Sequence, residues 1–239
     1  MARDEDLSRR EFAKTVAGAA AAGGLAMFAP KRIFAQPAKK VFKVGLIGCG
    51  GRGNGALSQH VNAARIVNDA LGLGIEIQVV ATADWFKEKA ERTGGKYGVK
   101  AESCFGGADA YRKLIAADPD IVLMATPPAF RPPHFEAAVE AGKHVFMEKP
   151  VAVDPVGCRR VIAAGEVAKK KSLMVIAGTQ RRHQKGYIDA QTAVAEGALG
   201  RILGGSVSWC GGHLGARAPF ATVDASTLAG GWVNWVEMS

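Results

Sequence analysis

Glu148 and Lys149 lie side by side at the end of an apolar run, and Pro150 follows them directly. A carboxylate beside an ammonium group is suited to proton transfer, because lysine as a residue type changes its pKa readily with its surroundings. The same pair is also common in solvated turns at strand ends. The three residues alone favour the solvated turn, so the interpretation depends on the elements that surround them.

A glycine-rich stretch, VGLIGCGGRGNG, follows the first apolar run after residue 40. It matches G-x-G-x-x-G, with a predicted strand before it and a predicted helix after it, which is the context that makes this motif informative. Glycines allow a tight turn and a close approach of the backbone to a pyrophosphate, which the helix N-terminus then stabilises. The stretch predicts a cofactor-binding site formed by Gly48, Gly50, Gly51, Arg52 and Gly53.

An acidic residue at the end of the second strand binds the ribose hydroxyls in sheets of this kind. Glu76 has nearly the usual spacing from the glycines, but it opens its strand and would lie at the wrong end of the sheet. Asp84 ends the run VVATAD, and we therefore predict that it is the ribose-binding residue. A carboxylate repels a 2′-phosphate, so NAD is favoured over NADP.

The segment ATPPAFRPPH follows the fourth predicted strand. Thr126 and Pro127 form a rigid turn at the carboxyl edge of the sheet, where they are expected to wall a nicotinamide pocket. His134 is either a cap at the helix start or a cofactor contact, and the sequence favours neither. Because the carboxyl ends of strands one, four and five meet around one crevice, Glu148 and Lys149 are then predicted to be functional.

The elements that position these residues alternate regularly between strand and helix, which predicts an α/β fold with a doubly wound parallel sheet. The predicted strands are 41–47, 75–83, a short one near 104, 121–125, 144–147 and 174–177; the predicted helices are 54–71, 86–97, 108–117, 132–141, 154–171 and 187–196. We assign residues 40–178 to this domain. Residues 179–239 are predicted to be an incomplete second domain, whose first strand is Leu199–Trp209.

Residues 1–35 have the pattern of an export signal: a charged leader, a short apolar stretch and small residues near Ala35. Arg9 and Arg10, followed by Phe12 and Lys14, resemble the bacterial twin-arginine signal except at Ala13. The sequence therefore predicts an exported, periplasmic protein that uses the twin-arginine machinery. The apolar stretch is too short for a stable membrane span; an uncleaved amphipathic helix is the alternative.

The remaining composition excludes other classes of protein. The net charge of +9 comes from scattered basic residues without an aromatic-interleaved stripe, so no nucleic-acid partner is expected. The four cysteines lie far apart and none forms a C-x-x-C pair, so neither a metal site nor a disulfide framework is predicted.

These motifs occur together and in order, with GTQRRH at 178–183, and in this combination the chain resembles the Gfo/Idh/MocA family. The resemblance implies a Rossmann domain joined to an α/β domain with a mostly antiparallel sheet, a bound NAD(P), and a sugar or polyol substrate. It also implies that Lys149 is the catalytic lysine, that Glu148 places it, and that the full-length protein forms a homo-oligomer. The family's later Asp-x-x-x-His is absent, so we expect the natural chain to continue beyond Ser239.

Two other functions remain open on the sequence. One is an NAD-using glycoside hydrolase of the same fold, against which the Glu-Lys-Pro motif argues. The other is a cofactor-binding fragment without catalysis, which the absent Asp/His pair favours. We expect the chain alone to bind NAD weakly and to turn over no substrate, because a site without its second wall cannot orient a reactant.

Overall fold

The structure is a computed structural model and describes residues 40–208. In this range six strands form one parallel sheet, flanked by six α-helices. The strands are β1 (Lys40–Ile47), β2 (Ile75–Asp84), β3 (Cys104–Gly106), β4 (Ile121–Met124), β5 (His144–Met147) and β6 (Val175–Ala177). The helices are α1 (Gly51–Leu71), α2 (Lys87–Gly95), α3 (Ala110–Ala116), α4 (Arg131–Glu140), α5 (Pro155–Lys170) and α6 (Lys185–Ala195).

The strand order in the sheet is β3-β2-β1-β4-β5-β6, and every pair is parallel. The order reverses between β1 and β4, which is the switch point where open parallel sheets bind their ligands. The predicted doubly wound fold is therefore confirmed. The sheet places the end of β1 between the ends of β2 and β4, with β5 one position further.

Two hydrophobic cores cover the two faces of the sheet. On one face, Val44 and Leu46 of β1 pack with Leu57 of α1, and all three side chains are fully buried. On the other face, Ile47 belongs to a core that includes Leu114 of α3 and Phe135 of α4. Neighbouring residues of a strand point to opposite faces, so a strand buried on both sides must be almost continuously apolar.

The helix ends follow recognisable signals. Asp154 caps α5 by accepting a hydrogen bond from the N–H of Gly157, and Pro155 takes the first helical position, as predicted. Helix α1 ends at Gly72, which has a left-handed φ of 63°. This helix starts at Gly51 rather than at the predicted Asn54, because the glycines themselves form its first turn.

The amino-terminal edge of the sheet carries its own charged contacts. Asp118 pairs with Lys43 at 3.1 Å and with Lys143. Asp120 accepts a hydrogen bond from the backbone N–H of Lys43 at 2.7 Å. These contacts link the starts of β1, β4 and β5 at the edge opposite the glycine stretch.

The predicted strand Leu199–Trp209 is wrong for the part that the structure describes. Residues 199–208 form no strand, and Leu203 and Val207 are 86% and 100% exposed. The six described strands pair only with one another, so this segment has no neighbour to complete its backbone hydrogen bonds. The predicted antiparallel sheet and the boundary at residue 178 stay predictions.

The predicted export signal, residues 1–35, and the part of the predicted second domain beyond residue 208 lie outside the described residues. Among residues 40–208, no helix is both long enough and apolar enough to cross a membrane.

Candidate functional site

A cleft of about 500 Å³ opens at the carboxyl ends of β1, β4 and β5. Its walls bring together the segment after β1, the turn after β4 and the segment after β5, because parallel strands end at the same edge. Most of the residues that the sequence predicts for the site line this cleft. They are Gly50, Gly51, Arg52, Gly53, Thr126, Pro127, Glu148 and Lys149.

The glycine stretch has the shape that a pyrophosphate requires. Gly48 has a φ of 94°, which favours glycine, and a Cβ on Gly53 would lie 1.8 Å from the carbonyl oxygen of Gly48. Gly50 and Gly51 have no protein atom within 4 Å of an added Cβ. Bare backbone therefore faces open space at the N-terminus of α1, where N–H groups and the helix dipole favour an anion.

Asp84 ends β2 beside the glycine stretch, and Glu76 lies near the start of the strand, as the sequence analysis expects. The Asp84 carboxylate accepts hydrogen bonds from the backbone N–H of Cys49 at 2.7 Å and of Phe86 at 3.0 Å. It lines a small neighbouring cavity of about 30 Å³ rather than the cleft itself. Phe86 and Lys89 are the cleft residues at this end.

His134 is set back from the cleft. Its Nδ1 lies 3.4 Å from Oγ1 of Thr126, and its ring lies 4.2 Å from the ring of Tyr111. The helix-cap interpretation is wrong, because α4 begins at Arg131 and the imidazole is buried inside the helix-to-sheet packing. Burial, and then the positive charge of Arg112, lower the pKa of His134 to about 4, so the ring is neutral behind Thr126.

Of the charged pair, only Glu148 is shielded from solvent, because Lys149 and Pro150 are exposed. Glu148 is buried, and its carboxylate lies 3.2 Å from Nε of Arg52, in the first turn of α1. The peptide bond between Lys149 and Pro150 is cis. A second cavity of about 520 Å³, towards Ile176 and Gln180, shares Arg52, Glu148 and Lys149 with the cleft. The charged pair thus forms the wall between the two cavities.

Arg131 is a site residue that the sequence analysis missed. It lines the cleft, is 4% exposed and donates a hydrogen bond to the carbonyl oxygen of Pro150. Burial lowers its pKa to about 10, although the negative charge of Glu148 acts in the opposite direction. Arg131 stands between the two proline pairs of ATPPAFRPPH, just after the carboxyl end of β4, and this position is the signal that could have identified it.

The cysteines and possible metal ligands add no further chemistry to this site. Burial, and then the charge of Asp84, raise the pKa of Cys49 to about 12, so its thiol is not a nucleophile at neutral pH. Cys104 is also buried and Cys158 is exposed, each as a free thiol, while Cys210 lies outside the described residues. Within residues 40–208, no three potential metal ligands cluster.

A matched pair of glycine substitutions separates folding from cofactor binding. Gly53→Ala places a methyl group against a backbone oxygen, so the free energy of unfolding should fall by about 1–3 kcal/mol. Gly51→Ala meets no protein atom and should leave stability within about 0.5 kcal/mol. Its methyl group enters the space of the pyrophosphate, so NAD affinity should fall at least about tenfold. Urea unfolding and isothermal titration measure the two effects; unchanged NAD affinity in Gly51→Ala would contradict the assigned site.

Acid should destabilise the fold through His134. The pKa of His134 is about 4 in the folded chain and 6.5 in the unfolded chain. The contribution of the neutral ring to folding stability is therefore complete above pH 6.5 and is lost as the pH falls towards 4. The free energy of unfolding falls by about 3 kcal/mol over this range, because the unfolded chain binds a proton at His134 that the folded chain does not bind.

In His134→Gln, the free energy of unfolding measured with urea should change less between pH 6.5 and pH 4 than in the parent chain. His60, whose pKa burial also lowers, should give a separate contribution in the double variant. A slope identical to that of the parent chain would show that His134 is not neutral in the fold.

Comparison with known proteins matches residues 42–179 to the Gfo/Idh/MocA oxidoreductase family, described as an NAD-binding Rossmann fold. The chain is 32% identical to inositol 2-dehydrogenase of Salmonella typhimurium over 162 residues, 67% of this chain and 44% of that protein. It is 35% identical to inositol 2-dehydrogenase 4 of Saccharopolyspora erythraea over 177 residues, 74% of this chain and 46% of that protein.

The fold agrees with a solved structure of an NAD binding oxidoreductase from Klebsiella pneumoniae. The TM-score is 0.54 and the identity 26%, covering 65% of this chain and 39% of that one. The chain spans less than half the length of the curated relatives it matches. The family's NAD-binding fold confirms the cofactor that the glycine stretch predicts. The match extends over more than half of the residues, and on that basis the chain belongs to the Gfo/Idh/MocA oxidoreductase family.

Proposed function

We propose that this chain is the NAD-binding part of an oxidoreductase that moves a hydride between NAD and a hydroxyl-bearing carbon of a sugar or polyol. The observation that carries the proposal is one cleft with the glycine stretch at one end and Lys149 at the other. The inositol 2-dehydrogenases among its relatives support a polyhydroxy substrate.

The described residues fit NAD. The backbone of Gly50, Gly51 and Gly53 would hold the pyrophosphate at the N-terminus of α1. Each oxygen of Asp84 already accepts one backbone hydrogen bond and keeps a lone pair for a ribose hydroxyl. The negative charge of Asp84 disfavours a 2′-phosphate. Thr126 and Pro127 would wall the nicotinamide, and His134 lies against Thr126.

Lys149 handles the proton of the reaction. NAD, when bound, would supply the acceptor for the hydride that leaves the substrate carbon. Lys149 Nζ hydrogen-bonds the hydroxyl on that carbon and takes part in removing its proton as the carbonyl forms. Glu148 places the lysine: its carboxylate pairs with Arg52 of α1 and so orders the segment that carries Lys149.

The substrate wall and the assembly belong to the second part of the protein. We assign residues 179–239 to the start of a substrate and oligomerisation domain in which the full-length protein forms a homo-oligomer. Apolar side chains exposed on α6 and after it support such a partner surface: Tyr187, Ile188, Leu199 and Leu203.

Lys149→Ala in the full-length natural protein tests the reaction. With a panel of inositols, sugars and sugar acids, kcat for NAD reduction should fall about 10²–10⁴-fold, because proton transfer is lost. The dissociation constant for NAD, measured by titration, should change by less than about threefold, or about 0.7 kcal/mol. Lys169→Ala, on the exposed end of α5, is the matched control.

Three results would count against the proposal. Unchanged rates in Lys149→Ala would make the lysine structural. Bound NAD without oxidation of any polyhydroxy compound would favour a binding protein without catalysis. Release of a free sugar from a glycoside without net NADH would favour the glycoside hydrolase.

The arginine pair near the N-terminus tests the proposed export to the periplasm. Changing Arg9 and Arg10 together to lysine should keep the protein in the cytoplasm of a bacterial host with a working twin-arginine pathway. Cell fractionation against marker enzymes of both compartments measures this, with Arg32→Lys as the control. Equal periplasmic amounts in both variants would refute the assigned route.

A further inference from the structure

Arg131, the first residue of α4, is buried although arginine is rarely buried without a partner for its charge. Its Nε has no hydrogen-bond partner among the described residues. A buried N–H group without a partner is costly, and such groups call for a functional explanation. The wall of the cleft, which Arg131 shares with Lys149 and Pro150, is the place to look for one.

The guanidinium connects two segments of the cleft that are distant in sequence. One of its terminal nitrogens donates a hydrogen bond to the carbonyl oxygen of Pro150, the residue after Lys149. The start of α4 is thereby attached to the turn that follows β5. In the sequence, Lys149 stands between Glu148, whose carboxylate is buried, and Pro150, whose carbonyl is bound by Arg131.

The residue before Lys149, Glu148, is attracted by positively charged side chains. Glu148 interacts with two cations: Nε of Arg52 of α1 lies 3.2 Å from its carboxylate, and Arg131 of α4 acts on it electrostatically. Burial lowers the pKa of Arg131, but only to about 10, so it stays a cation at neutral pH. Attraction from two helix starts therefore acts on the carboxylate, and the residues on both sides of Lys149 each interact with the start of a helix.

We propose that Arg131 is a positioning residue: it holds the turn Glu148–Pro150 against the start of α4 and so sets the direction in which Lys149 Nζ enters the cleft. The inference rests on the proposed function, because it gives Arg131 a part in the reaction that Lys149 serves. Arg131 acts through Glu148 and through the Pro150 carbonyl, not on the reacting atoms.

Substitution of Arg131 in the full-length natural protein tests this. Arg131→Gln should lower kcat about 10–100-fold, the usual effect of losing a group that orients a catalytic side chain. KM for NAD should stay within about threefold, since the glycine stretch is untouched. Arg131→Lys keeps the charge but not the planar donor group, so it should recover only part of the rate.

Arg160→Gln is the matched control. This arginine is exposed on α5 and pairs with Glu136 of α4, so the substitution removes a guanidinium from the same helix pair outside the cleft. It should leave both kcat and KM unchanged.

A second measurement does not depend on turnover. Modification of Lys149 by an amine-reactive reagent, followed by mass spectrometry, reports how its amine is presented. Labelling of Lys149 relative to Lys89, another cleft lysine, should change in Arg131→Gln and not in Arg160→Gln. If the natural protein oxidises no polyol, the proposed function fails while the labelling still tests Arg131.

Two results overturn the inference. One is a parent-like kcat together with parent-like labelling of Lys149 in Arg131→Gln. The other is a loss of kcat that follows an equal loss of NAD binding and of folded protein, since that shows a structural role. Should Arg131→Gln not fold, Arg131→Lys decides: a full parent rate in a stable protein overturns the inference.

Discussion

The contact between Gly53 and the carbonyl of Gly48 determines the shape of the whole cleft. These two backbone segments approach so closely that no side chain fits between them, which fixes α1 directly over the end of β1. From that position the first turn of α1 presents its N–H groups to the cleft and its Arg52 to Glu148. One backbone contact therefore sets both the anion site and the partner of the buried carboxylate two strands away.

The balance of charge in the cleft follows from this arrangement. Arg52, Lys89, Arg131 and Lys149 line it, with Glu148 as the carboxylate among its lining residues. This excess of positive charge suits an anionic ligand, and because it is spread over several side chains, no single one of them decides whether the ligand binds. Asp84 lies just outside the cleft wall, with each carboxylate oxygen accepting a hydrogen bond from a backbone amide, so it adds no carboxylate to the cleft lining.

The sequence predicts well those features that depend on local pattern. Buried parallel strands need continuous apolar runs, so β4 and β5 were predicted within one residue of their observed ends, and the direction of β2 was enough to place Asp84 rather than Glu76 at its carboxyl end. Arg131 was missed because its partner, the Pro150 carbonyl, is distant in sequence. The strand predicted at 199–209 is wrong over its described part. An alternating pattern of apolar and polar residues does not by itself supply the neighbouring strand that pairing requires.

Lys149 and Glu148 form a partition shared by two cavities. Glu148 is paired with Arg52 and the carbonyl of Pro150 is bound by Arg131, so two helices anchor the partition. Two occupants, one in each chamber, would therefore meet the same ammonium group from opposite sides.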